Sequence, residues 1–329
     1  MKTGDTISKC VGPHPTALYG FRPGCKEKIL RAGQSSEMSY NKLGLRDKDF
    51  SAKPKAGWKR ILFIGSSAMA APGISESQAP PKRLEAVLRK QNKKIEVINA
   101  GVEGYTNLQL AAIAPALIKE YSPTHVVMYV SIGQSVNIDM MNEPYVSWTA
   151  EGRLTLSQQI FPLSQRYADF NGWNLGEYMN RRRVLTIQSS WNRAIRTIKC
   201  VLLHREGLAR SGCLMASSIR SVLLIHAQAE EAGARFLFLS DPNSSSNDMN
   251  VSPGHDFEIA TRFDRGTPRV RLASMDAVEL LRSNGVQVEV VQPNRRASMT
   301  LPGDYHFNAA GAEQFAEYLA PKVAKFLGM

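Results

Sequence analysis

The chain has 329 residues, of which 43% are hydrophobic and 21% charged, and carries a formal net charge of +12 at pH 7. That composition is ordinary for a globular protein, and no apolar run approaches the roughly 18 residues of a membrane-spanning helix. The positive balance suits acidic partners such as anionic glycans, lipid head groups or nucleic acid, or serves only colloidal solubility. No nucleic-acid-binding motif accompanies it, so no specific nucleic acid is expected.

The N-terminus, MKTGDTISKCVGPHP, lacks the apolar core of a signal peptide. The expectation is a cytoplasmic protein by default, or one of the cell envelope if an export segment is missing. Four cysteines, Cys10, Cys25, Cys200 and Cys213, lie in two close pairs without CxxC spacing. The spacing speaks against zinc and leaves local disulfides or free thiols open. No metal or cofactor is expected.

Residues 1–57 are rich in Gly, Pro, Lys and Ser and show little periodicity, which predicts an irregular N-terminal arm laid over a domain spanning 58–329. The run Arg60–Ile64 predicts a first strand, ending at Gly65-Ser66-Ser67. Helical spacing follows between Ser75 and Gln91, with Pro80 and Pro81 suited to a first turn. Strands are predicted at 95–99 and 125–132, with a helix at 107–121 between them. The second of these strands, HVVMYVSI, is apolar throughout, as in a strand buried on both faces.

From 139 to 214 the alternation breaks, and this insertion reads as a lid or cap. Its second half, 181–204, predicts a basic amphipathic helix that either packs on its own domain or makes peripheral membrane contact. The rhythm resumes with helices near 215–232 and 270–283, strands at 235–239 and 286–290, and a last helix at 309–327. A long polar loop between 240 and 258 contains His255 and Asp256, which are substrate contacts or simply solvated residues. Five strands alternating with helices predict an α/β fold: a three-layer αβα, flavodoxin-like sandwich around a five-stranded parallel sheet.

In such a sheet, chemistry collects at the carboxyl ends of the strands. Gly65-Ser66-Ser67, Asn99-Ala100-Gly101 and Gly133-Gln134-Ser135 follow the first three strands, and Gly303-Asp304-Tyr305-His306 precedes the last helix. A serine, a histidine, an acid and backbone amides at one edge suffice for acyl transfer. Each has a plainer reading. Ser67 is a nucleophile or a turn serine, and His306 a general base or a structural histidine. Gly101 is an oxyanion donor or a conformational glycine. Asp304 is a triad acid or shares a helix cap with Asn308. Tyr105 and Gln134 are candidates to line the pocket.

These blocks resemble the SGNH (GDSL-type) hydrolase superfamily. RILFIGSSAMAAPGI is similar to the nucleophile block, VINAGVEGYTN to the glycine block, VVMYVSIGQSVNI to the asparagine block and DYHFNAAG to the histidine block. Tyr40–Arg46 also resembles the Asn-x-x-Gly-x-Arg segment found before the first strand in bacterial members. The resemblance covers about 40–135 and 215–327, and three signature positions depart from it. Ser66 stands for the Asp of Gly-Asp-Ser, Ser135 for the oxyanion-hole Asn, and Gly303 for the acid of Asp-x-x-His.

The resemblance implies a serine-dependent esterase or O-acyltransferase. Ser67 would be the nucleophile, His306 the base and Asp304 its orienting acid, with Ser67, Gly101 and Ser135 or Asn137 forming the oxyanion hole. With the charge, it implies an acylated small molecule or anionic glycan as substrate. The altered signature supports a second reading, a pseudoenzyme that binds a glycan, lipid or protein partner.

Overall fold

A computed structural model describes residues 8–14, 16–130, 146–148, 154–156, 216–241, 277–292, 297–304 and 306–329. The arm is not irregular. It forms two antiparallel hairpins, β1 (Val11–His14) with β2 (Leu18–Phe21) and β3 (Lys26–Arg31) with β4 (Gln34–Ser39). A Cys10–Cys25 disulfide ties them together, and Cys10, Ile29, Met38 and Tyr40 bury a small core between them. In β3 and β4 only Ile29 and Met38 are buried apolar residues, and the exposed Leu30 beside Ile29 breaks the alternation, too thin a pattern to predict strands.

The main sheet is built from β5 (Lys59–Gly65), β6 (Ile95–Gly101), β7 (His125–Val130), β10 (Arg235–Ser240) and β11 (Val288–Val290). Its order is β6-β5-β7-β10-β11, and every pairing is parallel. In sheet-strand numbering this is the 2-1-3-4-5 order of flavodoxin-like folds, with its switch point between β5 and β7. The last strand is shorter than the sequence predicts, because Val286 and Gln287 stay outside it. A separate short pair, β8 (Val146–Trp148) with β9 (Leu154–Leu156), lies within the predicted lid. The rest of 139–214, including the segment 181–204 predicted as a basic helix, Cys200 and Cys213, lies outside the described residues.

Side chains alternate across the sheet as strand geometry requires. Leu62, Ile64, Val126, Met128, Phe236 and Phe238 face one core, shared with α3 (Asn107–Tyr121), α4 (Ala216–Glu231) and a helical segment 277–283. Ile61, Phe63, Val127, Leu237 and Leu239 face the other, shared with the one-turn helix α1 (Ser67–Ala70), α2 (Pro80–Arg89) and the C-terminal helix (Ala309–Leu327). This is the three-layer αβα sandwich that the alternation of strands and helices predicts. Pro80 and Pro81 occupy the first turn of α2, where missing amide protons cost least. Among the described residues, no helix is long and apolar enough to cross a membrane.

Candidate active site

Strand β5 ends at Gly65, and the chain turns through the N-cap Ser66 into α1, whose first residue is the partly exposed Ser67. Two glycines let this turn sit directly on the sheet. A Cβ on Gly65 would meet Met69 Cγ at 2.4 Å, and one on Gly101 would meet the backbone N of Ala70 at 2.4 Å. A side chain at Gly101 would press on the backbone of α1 and move Ser67 with it, whereas one at Gly65 would displace the Met69 side chain.

The turn is fastened from the arm. Arg46, 1% exposed, donates to the carbonyls of Ala70, Ala71 and Ile74. Carbonyls at and just beyond the end of a one-turn helix have no intrahelical donor. Burial brings the Arg46 pKa down to about 10, so it stays charged at neutral pH. Asn41 shapes the preceding loop, its Oδ1 accepting from the amides of Leu43 and Leu45. Gly44 is left-handed (φ 73°) and so tight against Phe21 that a Cβ would lie 2.1 Å from that carbonyl oxygen. The Asn-x-x-Gly-x-Arg segment is thus a bracket for the serine turn.

Asn99 completes the bracket. Its amide donates to Asp47 Oδ2 at 2.8 Å, its Nδ2 donates to the Met69 carbonyl at 3.0 Å, and its Oδ1 accepts from the Gly101 amide at 2.9 Å. Gly101, the candidate oxyanion donor, has a structural role in this turn. Its amide is engaged by Asn99 and its Cα is covered by α1, so it acts as a packing glycine. Burial raises the Asp47 pKa to about 6, against the pull of Lys82 and the amides of Asn99 and Lys48.

The histidine loop is set by two nested turns. Leu301-Pro302-Gly303-Asp304 is a β-turn with the Asp304 amide donating to the Leu301 carbonyl at 3.0 Å and Gly303 at φ 63°. Pro then Gly at the central positions, with positive φ at the second, is the type II pattern. An acid at 303 would have to adopt that left-handed backbone. Asp304 instead folds back on its own chain, and its Oδ1 accepts from the His306 amide at 3.1 Å. The same oxygen lies 2.6 Å from His306 Nδ1. Asp304 is not a helix cap, because Asn308 fills that place by accepting from the Gly311 amide at 2.9 Å.

Burial alone would raise the Asp304 pKa, but the hydrogen bonds and charges of His306 and Arg31 outweigh it and hold the carboxyl well below the usual carboxylate range. An ionised Asp304 against Nδ1 places the proton on that nitrogen, which directs the Nε2 lone pair away from the acid. His306 itself is 1% exposed.

Arg31 and Glu103 carry no signal in the sequence, and Asn99 stands there only as part of Asn99-Ala100-Gly101. Arg31 Nε donates to Asp304 Oδ2 at 2.9 Å, and its Nη1 pairs with Glu103 in the loop after β6. Tyr105 does not simply line a pocket. Its hydroxyl donates to the Tyr19 carbonyl and the two rings meet edge to face, holding the arm to the same loop. Gln134, Ser135, Asn137, His255 and Asp256 lie outside the described residues.

No protein-family model and no curated protein sequence matches the chain. Among solved structures it is similar to TesA, with 14% identity and a TM-score of 0.44 over 81% of this chain and 99% of that one. It is similar to the psychrotrophic esterase EstA from Pseudoalteromonas sp., with 12% identity and a TM-score of 0.43 over 82% and 100%. A carbohydrate acetylesterase family member from Sinorhizobium meliloti gives 14% identity and a TM-score of 0.41 over 82% and 100%. The fold assignment rests on this chain's own strand order and layering.

Proposed function

We propose that the protein is a serine-dependent esterase or O-acyltransferase acting on an oxygen ester, with a carbohydrate or anionic envelope polymer as the acyl carrier. The observation that carries this reading is the 2.6 Å contact between Asp304 Oδ1 and His306 Nδ1. It supplies the oriented imidazole that a serine nucleophile needs, in a loop where the expected acid position is occupied by Gly303.

In this reading Ser67 Oγ attacks the ester carbonyl as its proton passes to His306 Nε2. The carbonyl oxygen becomes the oxyanion of a tetrahedral intermediate. The amide of Ser67, in the first turn of α1 where N–H groups have no intrahelical acceptor, is its first donor. Ser135 or Asn137 would supply a further donor. His306 then returns the proton to the leaving alkoxide as the C–O bond breaks, leaving acyl-Ser67. Water or a second hydroxyl, deprotonated by the same Nε2, takes the acyl group and restores Ser67. The carrier assignment is supported by the net charge of +12, which suits an acidic polymer.

The test is hydrolysis of short-chain p-nitrophenyl esters by the parent and by Ser67→Ala. The expected result is turnover by the parent and only background with the variant. Equal rates for the two would remove Ser67 from the chemistry and sink the proposal.

A further inference from the structure

We propose that Arg31, carried to the site by the arm, is a positioning residue for the Asp304–His306 pair, so that the arm is a working part of the active site. This rests on the serine-hydrolase reading above for its catalytic consequence, though not for the geometry.

The hairpin β3–β4 closes through Ala32 (φ 50°) and Gly33 (φ 79°). Positive φ at both central residues of a two-residue loop is the tight hairpin geometry that matches strand twist. Arg31 is the last residue of β3, paired with Gln34 across the turn, so its direction is set by a rigid element rather than a loose tail.

From there one side chain touches three separate loops of the site. Its stem lies over Gly73 in the loop behind α1, where an added Cβ would meet Arg31 Cβ at 3.5 Å and Cγ at 3.6 Å. Its Nη1 pairs with Glu103 after β6, and its Nε donates to Asp304 Oδ2 at 2.9 Å in the histidine loop. Nη2 stands 3.4 Å from His306 Nδ1. Since Nδ1 directs its proton to Asp304, that approach is a contact rather than a hydrogen bond.

The division of labour on Asp304 follows from its two oxygens. Oδ1 serves the His306 amide and ring, and Oδ2 serves Arg31. Without Arg31 the carboxylate loses its second anchor and can rotate about its last side-chain bond, taking Oδ1 off the ring. Glu103 keeps the guanidinium from drifting and balances its charge. A lysine would provide a single point contact where the guanidinium spans two carboxylates.

The experiment compares the full-length parent with Arg31→Met, Arg31→Lys and Glu103→Gln, by two independent readouts. The first is the downfield proton resonance of His306 Nδ1–H, assigned by its loss in His306→Asn. The second is kcat and KM on p-nitrophenyl acetate. Arg31→Met is expected to broaden or abolish the resonance and to lower kcat by about 10²-fold, the scale of a misplaced catalytic group, with KM nearly unchanged. Arg31→Lys is expected to recover part of both. Glu103→Gln, which leaves Arg31 in place, is expected to give a smaller loss in the same direction, and it keeps the proposal testable should Arg31→Met not fold. An unchanged resonance in Arg31→Met, or in Glu103→Gln if that is the only folded variant, would overturn the positioning role whatever the kinetics. A resonance lost in Arg31→Met with a parent that hydrolyses no ester would support the positioning role and overturn the esterase reading alone.

Discussion

Asp304 reaches the ring of His306 from only two residues away, because a single carboxylate oxygen accepts both the His306 backbone amide at 3.1 Å and Nδ1 at 2.6 Å. The compact loop replaces the three-residue spacing that the family resemblance leads one to expect. Asp304→Asn retains the shape and an acceptor for the backbone amide but removes the charge that fixes the tautomer. In serine triads such a change costs on the order of 10⁴ in kcat. Steady-state kinetics on p-nitrophenyl acetate should show a loss of that order with a folded variant.

Gly101 predicts a different kind of damage. A methyl group there would lie 2.4 Å from the Ala70 nitrogen and 2.6 Å from the Met69 carbonyl carbon. Backbone on that side cannot yield as a flexible side chain would, so α1 must shift outward by the better part of an ångström. Gly101→Ala should lower kcat by about 10²-fold, the scale of a misplaced reacting group. Kinetics together with a thermal melt would separate this from global unfolding.

Arg46 predicts a stability effect centred on the serine turn. Arg46→Met leaves the carbonyls of Ala70, Ala71 and Ile74 without that donor, at a cost of about 3 kcal/mol or more. Arg46→Lys should recover little, because one ammonium cannot span three carbonyls as the fork does. Urea unfolding of the three proteins checks both statements.

A buried carboxyl and a partly buried one give opposite pH dependences. Asp47 has a folded pKa of about 6, above the unfolded value of about 3.9. The native state therefore binds more protons between those limits, and the Asp47 contribution to stability falls as pH rises from about 4 to 6. Asp304 is held below its unfolded value, so its contribution is present above about pH 4 and is lost as pH falls further. Asp47→Asn should cancel the first trend, altering the parent–variant stability gap by on the order of 2 kcal/mol between pH 7 and 4. Asp304→Asn should flatten the second, below pH 4. Unfolding midpoints across that range test both signs.

How far the sequence discloses this arrangement depends on the range of the interactions. The strands of the main sheet are legible because Ile61–Ile64 and His125–Val130 are buried on both faces, which leaves continuous apolar runs. Ser67 and His306 stand out as candidates because each sits at a punctuated strand or helix boundary. The pairing of Arg31 with Asp304 is not, since 273 residues separate them and only the docking of the arm brings them together. Gly101 is ambiguous in sequence for a related reason. A glycine that is needed for close backbone approach looks, in sequence, like one kept for its exposed amide. The use of Asp304 turned on Gly303, whose left-handed backbone disfavours the acid one position earlier.

The central claim is that Ser67 is activated by His306, and covalent labelling by a fluorophosphonate tests it without knowledge of the substrate. Intact-mass analysis and peptide mapping should find one adduct, on Ser67, in the parent, and none in Ser67→Ala or His306→Ala under the same conditions. A parent that does not react at Ser67, or a His306→Ala variant that reacts as fast as the parent, would contradict the account.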